Sequence, residues 1–333
     1  MRCKRAIKAG MSVLFIMLTL RPGAVRAQTE KALLDRAMKR PGIEVLIDAG
    51  RLARDNAERK KTFEKLEQDF PQSPNRFWIL TFQAQLLCDM RRYKESEAKW
   101  RQAATEFKGT QHEPMCLFMA NQATEYQGDY ERARRSFKAF MDRFRTHLSV
   151  GSAARHIVYM LADEGKYAEA RAFGEQALKD YPPNRTTPSL RNHLAALATF
   201  GKPLPAITAT ALDGRRVISP AVGKVTLFYE WGPGDKNLHL LGQVLALCRE
   251  FPPARLTVIG IVRDEARDEA LVFQKKHHLP WPNIVGSDVK EKFPMSVLRY
   301  ATFILDRRGK LRGVGLEDER LFRMVRHLSA QPE

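Results

Sequence analysis

Four aromatic residues, Phe70, Phe107, Phe144 and Tyr181, stand 37 residues apart, and a second series, Tyr93, Tyr130 and Tyr167, keeps the same step. Small residues follow in phase at Ser96, Ala133 and Ala170. The segment Gly128-Asp129-Tyr130-Glu131-Arg132-Ala133 returns, little changed, as Gly165-Lys166-Tyr167-Ala168-Glu169-Ala170. A fixed period of this length means one supersecondary unit used several times, because a lone helical hairpin cannot bury its apolar face and must stack on copies of itself. The small residue lets the paired helices approach, and the glycine permits the sharp turn between them. The aromatic closes the second helix and packs on the next unit. The spacing predicts three units over about 77–109, 114–146 and 151–183. A degenerate first unit is expected over about 41–72 and a capping helix over 186–200, with Pro203 and Pro205 in a linker.

These motifs resemble the tetratricopeptide repeat, slightly lengthened. The resemblance implies an all-α array over residues 28–200 whose first helices line a groove for an extended peptide or a partner helix. Its groove-facing positions fall here on Trp78, Thr81 and Gln85, on Met115, Phe118 and Gln122, and on Arg155 and Tyr159. Aromatics mixed with amides suit a peptide backbone. The competing expectation is that Trp78, Met115 and Phe118 pack between units, as aromatic stripes at helical spacing usually do. Cys88 and Cys116 are not expected to pair. In the repeat frame they are offset by roughly 13 Å along parallel helices, at 1.5 Å rise per residue, and a disulfide needs Cα atoms within about 7 Å.

After residue 200 the pattern changes to short apolar runs, Gly223-Lys224-Val225-Thr226-Leu227-Phe228-Tyr229-Glu230-Trp231, Leu256–Val262 and Ala301-Thr302-Phe303-Ile304-Leu305-Asp306. Strands are predicted at 225–231, 256–262, 301–306 and 311–315, and helices at 238–251, 266–279 and 318–330. In order and spacing this half resembles the redoxin/TlpA branch of the thioredoxin superfamily, which implies an α/β domain over 201–333. That family carries a Cys-x-x-Cys pair just past its first core strand. The corresponding stretch here, Trp231-Gly232-Pro233-Gly234-Asp235-Lys236-Asn237-Leu238, contains no cysteine. Counting from Gly223-Lys224 puts the two positions at Asp235 and Leu238, and counting from Trp231 puts them at Gly232 and Asp235. Thiol–disulfide exchange needs a thiolate activated at a helix N-terminus. Asp235 and Asn237 can cap the following helix, but neither is a nucleophile. The family's cis-proline falls at Tyr300. There a cis bond would cost about 2.5–4 kcal/mol, so a trans bond is expected. With both departures the resemblance implies a redox-inactive domain.

The first 27 residues read as a secretory signal. Arg2, Lys4, Arg5 and Lys8 precede the apolar run Met11–Leu20, and Val25-Arg26-Ala27 offers small residues for cleavage. The run is shorter than the roughly 20 residues of a membrane span. The chain carries a formal charge of +18, and the expected signal holds six basic residues and no acid, leaving +12. Such a charge suits an anionic envelope component such as lipid head groups, wall polymers or an acidic protein. It does not by itself imply nucleic acid, because the basic residues are spread along helices without a recognition motif. Three cysteines would remain, too few and too odd in number for a disulfide framework. Cys248 falls in a helical core stripe with Leu241, Val244 and Leu245. Glu230 ends a core strand near the Cys-less stretch, and His277-His278 close a helix. No metal-binding His-Glu-x-x-His, phosphate-binding glycine loop or nucleophile elbow is present, so neither cofactor nor metal is expected. The sequence therefore points to a multidomain, exported, non-catalytic adaptor: a tetratricopeptide-like array followed by a degenerate thioredoxin-like domain. The alternative is a redoxin-type thiol–disulfide oxidoreductase using an atypical or partner-supplied thiol.

Overall fold

The computed structural model describes residues 22–39, 49–221, 223–233 and 238–331. The expected signal up to Leu20 lies outside these residues. Nine helices come first among the described residues: α1 (Pro22–Met38), α2 (Ala49–Asp69), α3 (Arg76–Asp89), α4 (Tyr93–Glu106), α5 (Glu113–Tyr126), α6 (Tyr130–Arg143), α7 (Val150–Asp163), α8 (Tyr167–Asp180) and α9 (Thr187–Leu197). From α3 onward the first helices of each pair start at 76, 113, 150 and 187, and the second helices at 93, 130 and 167, so the 37-residue period is the period of the helices.

The repeat residues occupy equivalent places. Tyr93, Tyr130 and Tyr167 open the second helices, and Phe107, Phe144 and Tyr181 close them, each donating its amide to the preceding turn. Ser96, Ala133 and Ala170 are fully buried, which lets the paired helices touch. Gly128 and Gly165 make the turns at φ +86° and +78°, where a side chain would be strained. In the first hairpin that position is held by Arg91, at φ +58°.

One expectation needs correction. Residues 49–69 form one helix, so no hairpin turn falls within this described stretch of the expected first unit, and α2 pairs with the upstream α1. The physical reason is in the sequence: Arg51–Asp69 contains neither Gly nor Pro to break the helix.

The C-terminal part comprises β1 (Ile207–Thr210), β2 (Arg216–Ser219), β3 (Val225–Trp231), α10 (Leu238–Glu250), β4 (Leu256–Val262), α11 (Arg267–His277), β5 (Asn283–Val285), α12 (Ser287–Lys290), α13 (Met295–Leu298), β6 (Thr302–Leu305), β7 (Leu311–Val314) and α14 (Asp318–Ala330). The β1–β2 hairpin stands apart, and the main sheet has the order β5-β4-β3-β6-β7. β3, β4 and β5 are parallel, while β6 and β7 run antiparallel to their neighbours. This joins a βαβ half to a ββα half, the architecture expected of a thioredoxin-like domain. Buried Asn283 holds the short β5 in place, accepting from Trp231 Nε1 at 2.7 Å and donating to Gln274 Oε1 at 2.9 Å.

Alternate residues of the strands face opposite sides of the sheet. Leu227, Tyr229 and Ile304 pack under Leu241, Val244 and Leu247 of α10 and Leu321, Phe322 and Val325 of α14. Phe228, Ile259 and Phe303 belong to an apolar core that continues without a break into Phe137, Ile157 and Leu194 of the helical array. The Pro203 segment is built into this joint. Gly201 N donates to Leu311 O at 2.8 Å and Leu311 N to Lys202 O at 2.9 Å, which adds the linker to the outer edge of β7. Among the described residues no helix is long and apolar enough to cross a membrane.

Candidate functional site

The end of β3 is where the redox chemistry of a thioredoxin-like domain would be sought. Asp235 and Asn237 lie outside the described residues. Leu238 is the first residue of α10, and nothing is described of its side chain. Glu230 is exposed, and its amide donates to Ala301 O at 2.7 Å, so Tyr300 follows as the next residue opposite the strand end. Both peptide bonds of Tyr300 are trans. Its ring turns toward the helical array and meets His193 edge-on, with centroids 6.0 Å apart. Gly315, at φ +59°, makes room for it: a Cβ there would stand 2.9 Å from the Tyr300 ring.

The three described thiols are all shifted toward their protonated form. None is in a disulfide. Burial pushes Cys116 and Cys248 up to about 11. Burial, aided by the Asp318 carboxylate, raises Cys88 further still. His277 is buried against Phe273, and His278 ends α11 in a left-handed conformation, so this pair serves the helix end.

The expected groove positions fall into two groups. Trp78 and Met115, one repeat apart, are exposed at 48% and 38%. Gln85 and Gln122 are half-buried, and Gln85 donates to Asp89 within its own helix at 2.9 Å. Phe118 is half-buried among Phe137, Phe140 and His156, with centroids 5.5–6.0 Å away, so much of its surface belongs to the stack. Thr81 is buried and bonds back to Phe77 O. Arg155 is half-buried and donates to Ser189 Oγ at 2.5 Å. The expectation of an open groove fails at Tyr159, which is only 6% exposed. Its ring lies under the Arg320 guanidinium, 4.0 Å from Cζ, and against His193, because the protein's own C-terminal part covers this end of the array.

That cover is a polar seam which motif reasoning did not find. Arg320 of α14 enters fully and grips Asp163 with two hydrogen bonds of 2.9 Å. Burial opposes its charge, yet the Asp163 carboxylate holds its pKa above the ordinary value. Asp163 also accepts from Tyr130 Oη at 3.1 Å. Glu125, fully buried, has one oxygen 3.8 Å from Arg320 Nε and the other 2.6 Å from His156 Nδ1. Arg323 donates to the carbonyls of Glu125 and Tyr126 at 3.3 and 2.7 Å. It thereby satisfies the last turn of α5 with a positive charge at the negative end of the helix. Tyr126 Oη donates to Asp318 at 2.7 Å and Tyr93 Oη to Glu319 at 3.2 Å, while Arg91 stacks on Phe322 at 3.5 Å. The left-handed backbone of Arg91, costly outside glycine, is thus held by a contact between the two parts. α14 therefore lies across the turns of two successive hairpins and the end of α7. The one sequence signal for these groups is the repeat itself: His156 and His193 are 37 apart, as are Tyr126 and Asp163.

The buried pair of Arg320 and Asp163 thus joins two parts of one chain. Among the described residues no group of three His, Cys, Asp or Glu could hold a metal ion. No protein-family model and no curated protein matches the chain. Solved structures similar to its C-terminal part include a thiol-disulfide oxidoreductase from Bacteroides fragilis (18% identity, 38% of this chain and 99% of that one, TM-score 0.33). Another is the thioredoxin domain of a thiol-disulfide oxidoreductase from Bacteroides vulgatus (20%, 38% and 96%, TM-score 0.33). A third is a thiol:disulfide interchange protein of the thioredoxin family from Chlorobium tepidum (14%, 38% and 96%, TM-score 0.32).

Proposed function

We propose that the chain is an exported protein-interaction adaptor without thiol–disulfide activity. Its tetratricopeptide-like array holds a partner peptide, and its thioredoxin-like part serves as a docked structural wing. The observation that carries this reading is the state of the thiols. No cysteine lies between Phe228 and Leu247, and burial keeps Cys88, Cys116 and Cys248 in the unreactive protonated form. Export to a periplasmic or extracellular setting is supported by the basic start, the ten-residue apolar run and Val25-Arg26-Ala27. The face left for a partner is that of Trp78, Met115, Gln85 and Gln122, away from the end covered at Tyr159. The test is insulin reduction by the mature chain with dithiothreitol as electron source. No turnover above a heat-killed control is expected. Measurable turnover would overturn the proposal and return the oxidoreductase reading, with an atypical or partner-supplied thiol.

A further inference from the structure

At the covered end of the array two arginines are held by neutral groups of one helix. Arg155 of α7 donates Nη1 to Ser189 Oγ at 2.5 Å, and Arg299 donates Nη1 to Asn192 Oδ1 at 2.5 Å. Ser189 and Asn192 are three residues apart on α9, hence neighbours on one face of that helix, so the two guanidinium groups are brought to adjacent points. Arg320, at the same end of the array, meets the carboxylate of Asp163. Arg155 and Arg299 do not meet one among the described residues. Among the acids at this end, Asp163 and Glu125 are taken by Arg320 and His156, and the Glu317 carboxylate also acts on Tyr159.

Two further polar side chains, His193 and Tyr300, lie at the same end. His193, one turn beyond Ser189 on α9, is 1% exposed, and neither of its ring nitrogens has a hydrogen-bond partner. The Tyr300 hydroxyl and Arg155 Nε are likewise enclosed and unpartnered. Buried polar atoms in native proteins are nearly always bonded, and each orphan carries a desolvation penalty. Several orphans at one junction, next to two unanswered positive charges, describe a place prepared for a guest that accepts hydrogen bonds and carries negative charge.

We propose that Arg155, Arg299 and Tyr300, backed by His193 and fixed by Ser189 and Asn192, form a binding site for a phosphate-class oxyanion. Two guanidinium forks and a phenol can donate to several oxygens of one tetrahedral group. A free phosphate ester and a phospholipid head group share that chemistry. The site does not depend on whether the thioredoxin-like part is redox-silent.

The experiment is calorimetric titration of the full chain with inorganic phosphate, against chloride at matched ionic strength. Wild type is expected to bind phosphate. Arg299→Gln, a change on an exposed side chain, should weaken binding by about tenfold or more, the value of a charge-assisted hydrogen bond. Tyr300→Phe should weaken it by a few fold. Arg135→Gln, at an exposed helix pair with Glu131, should leave it unchanged. A second arm sediments the protein with phosphatidylglycerol vesicles and with phosphatidylcholine vesicles. Co-sedimentation with the former that Arg299→Gln abolishes identifies a head group as the source. Phosphate binding without co-sedimentation identifies a free ester. The site is refuted if wild type binds no phosphate, or if Arg299→Gln and Arg155→Gln bind it as wild type does.

Discussion

Replacing Arg320 by Met tests the joint between the two halves of the chain. Arg320 and Asp163 are 5% and 8% exposed at their side chains, joined by two bonds of 2.9 Å. Methionine fills much of the volume but leaves the Asp163 carboxylate with only the Tyr130 hydroxyl, and Glu125 with only His156. An exposed pair would be worth about 0–1 kcal/mol. Removing one partner of a buried pair costs about 3–5 kcal/mol, because a charge is stranded. The double variant Arg320→Met, Asp163→Leu removes both charges and should recover at least about 2 kcal/mol of that loss, since an apolar pair of similar volume tolerates the site. The assay is equilibrium unfolding in urea at pH 7, with the four corners of the cycle compared by midpoint and slope. A loss below about 1 kcal/mol for Arg320→Met, or strict additivity of the two single changes, would show that the seam is not buried as described.

Two more outcomes follow from the same region. Burial, with Arg320 and Arg155 nearby, drives the His193 pKa well below its ordinary value, so the folded chain keeps this ring neutral. The unfolded chain takes up a proton near pH 6.5 and so binds more protons below it. Stability should therefore fall with acidification, by up to ~1.4 kcal/mol per pH unit below about 6.5. His193→Leu should flatten that slope in unfolding measured between pH 7.5 and 5, and an unchanged slope would refute the assignment. Tyr159→Ala should destabilise by several kcal/mol, as should Phe137→Ala at about 3–5 kcal/mol, whereas half-buried Phe118→Ala should cost less. Thermal melting ranks them, and a neutral Tyr159→Ala would restore the open groove.

The parts of the fold written in local patterns were legible in the sequence. The 37-residue step became the helix period, and the predicted strands at 225–231 and 256–262 match β3 and β4 to the residue. The strand at 301–306 shortens to Thr302–Leu305, and the helix at 266–279 to Arg267–His277. β5 escaped because three residues carry no period, and its place depends on Asn283 bonding to Trp231, 52 residues away. The seam escaped for a stronger reason. Arg320 and Asp163 are 157 residues apart, and nothing near either one announces the other. The repeat position of Tyr159 predicts a groove, while the Arg320 that covers it comes from the other half of the chain.

A stacked array in which each unit touches only its neighbours can open from either end, one hairpin at a time. Here α14 bridges the hairpins of α3–α4 and α5–α6 and reaches the end of α7, so none of these can loosen without releasing a helix that also roofs the sheet. Opening becomes an event shared by both halves, and amide protons throughout this span should exchange at a common, high free energy. The α1–α2 pair lies before the hairpins that this clasp joins. Its principal helix neighbour is α3, and it is where the chain can fray without cost to the rest.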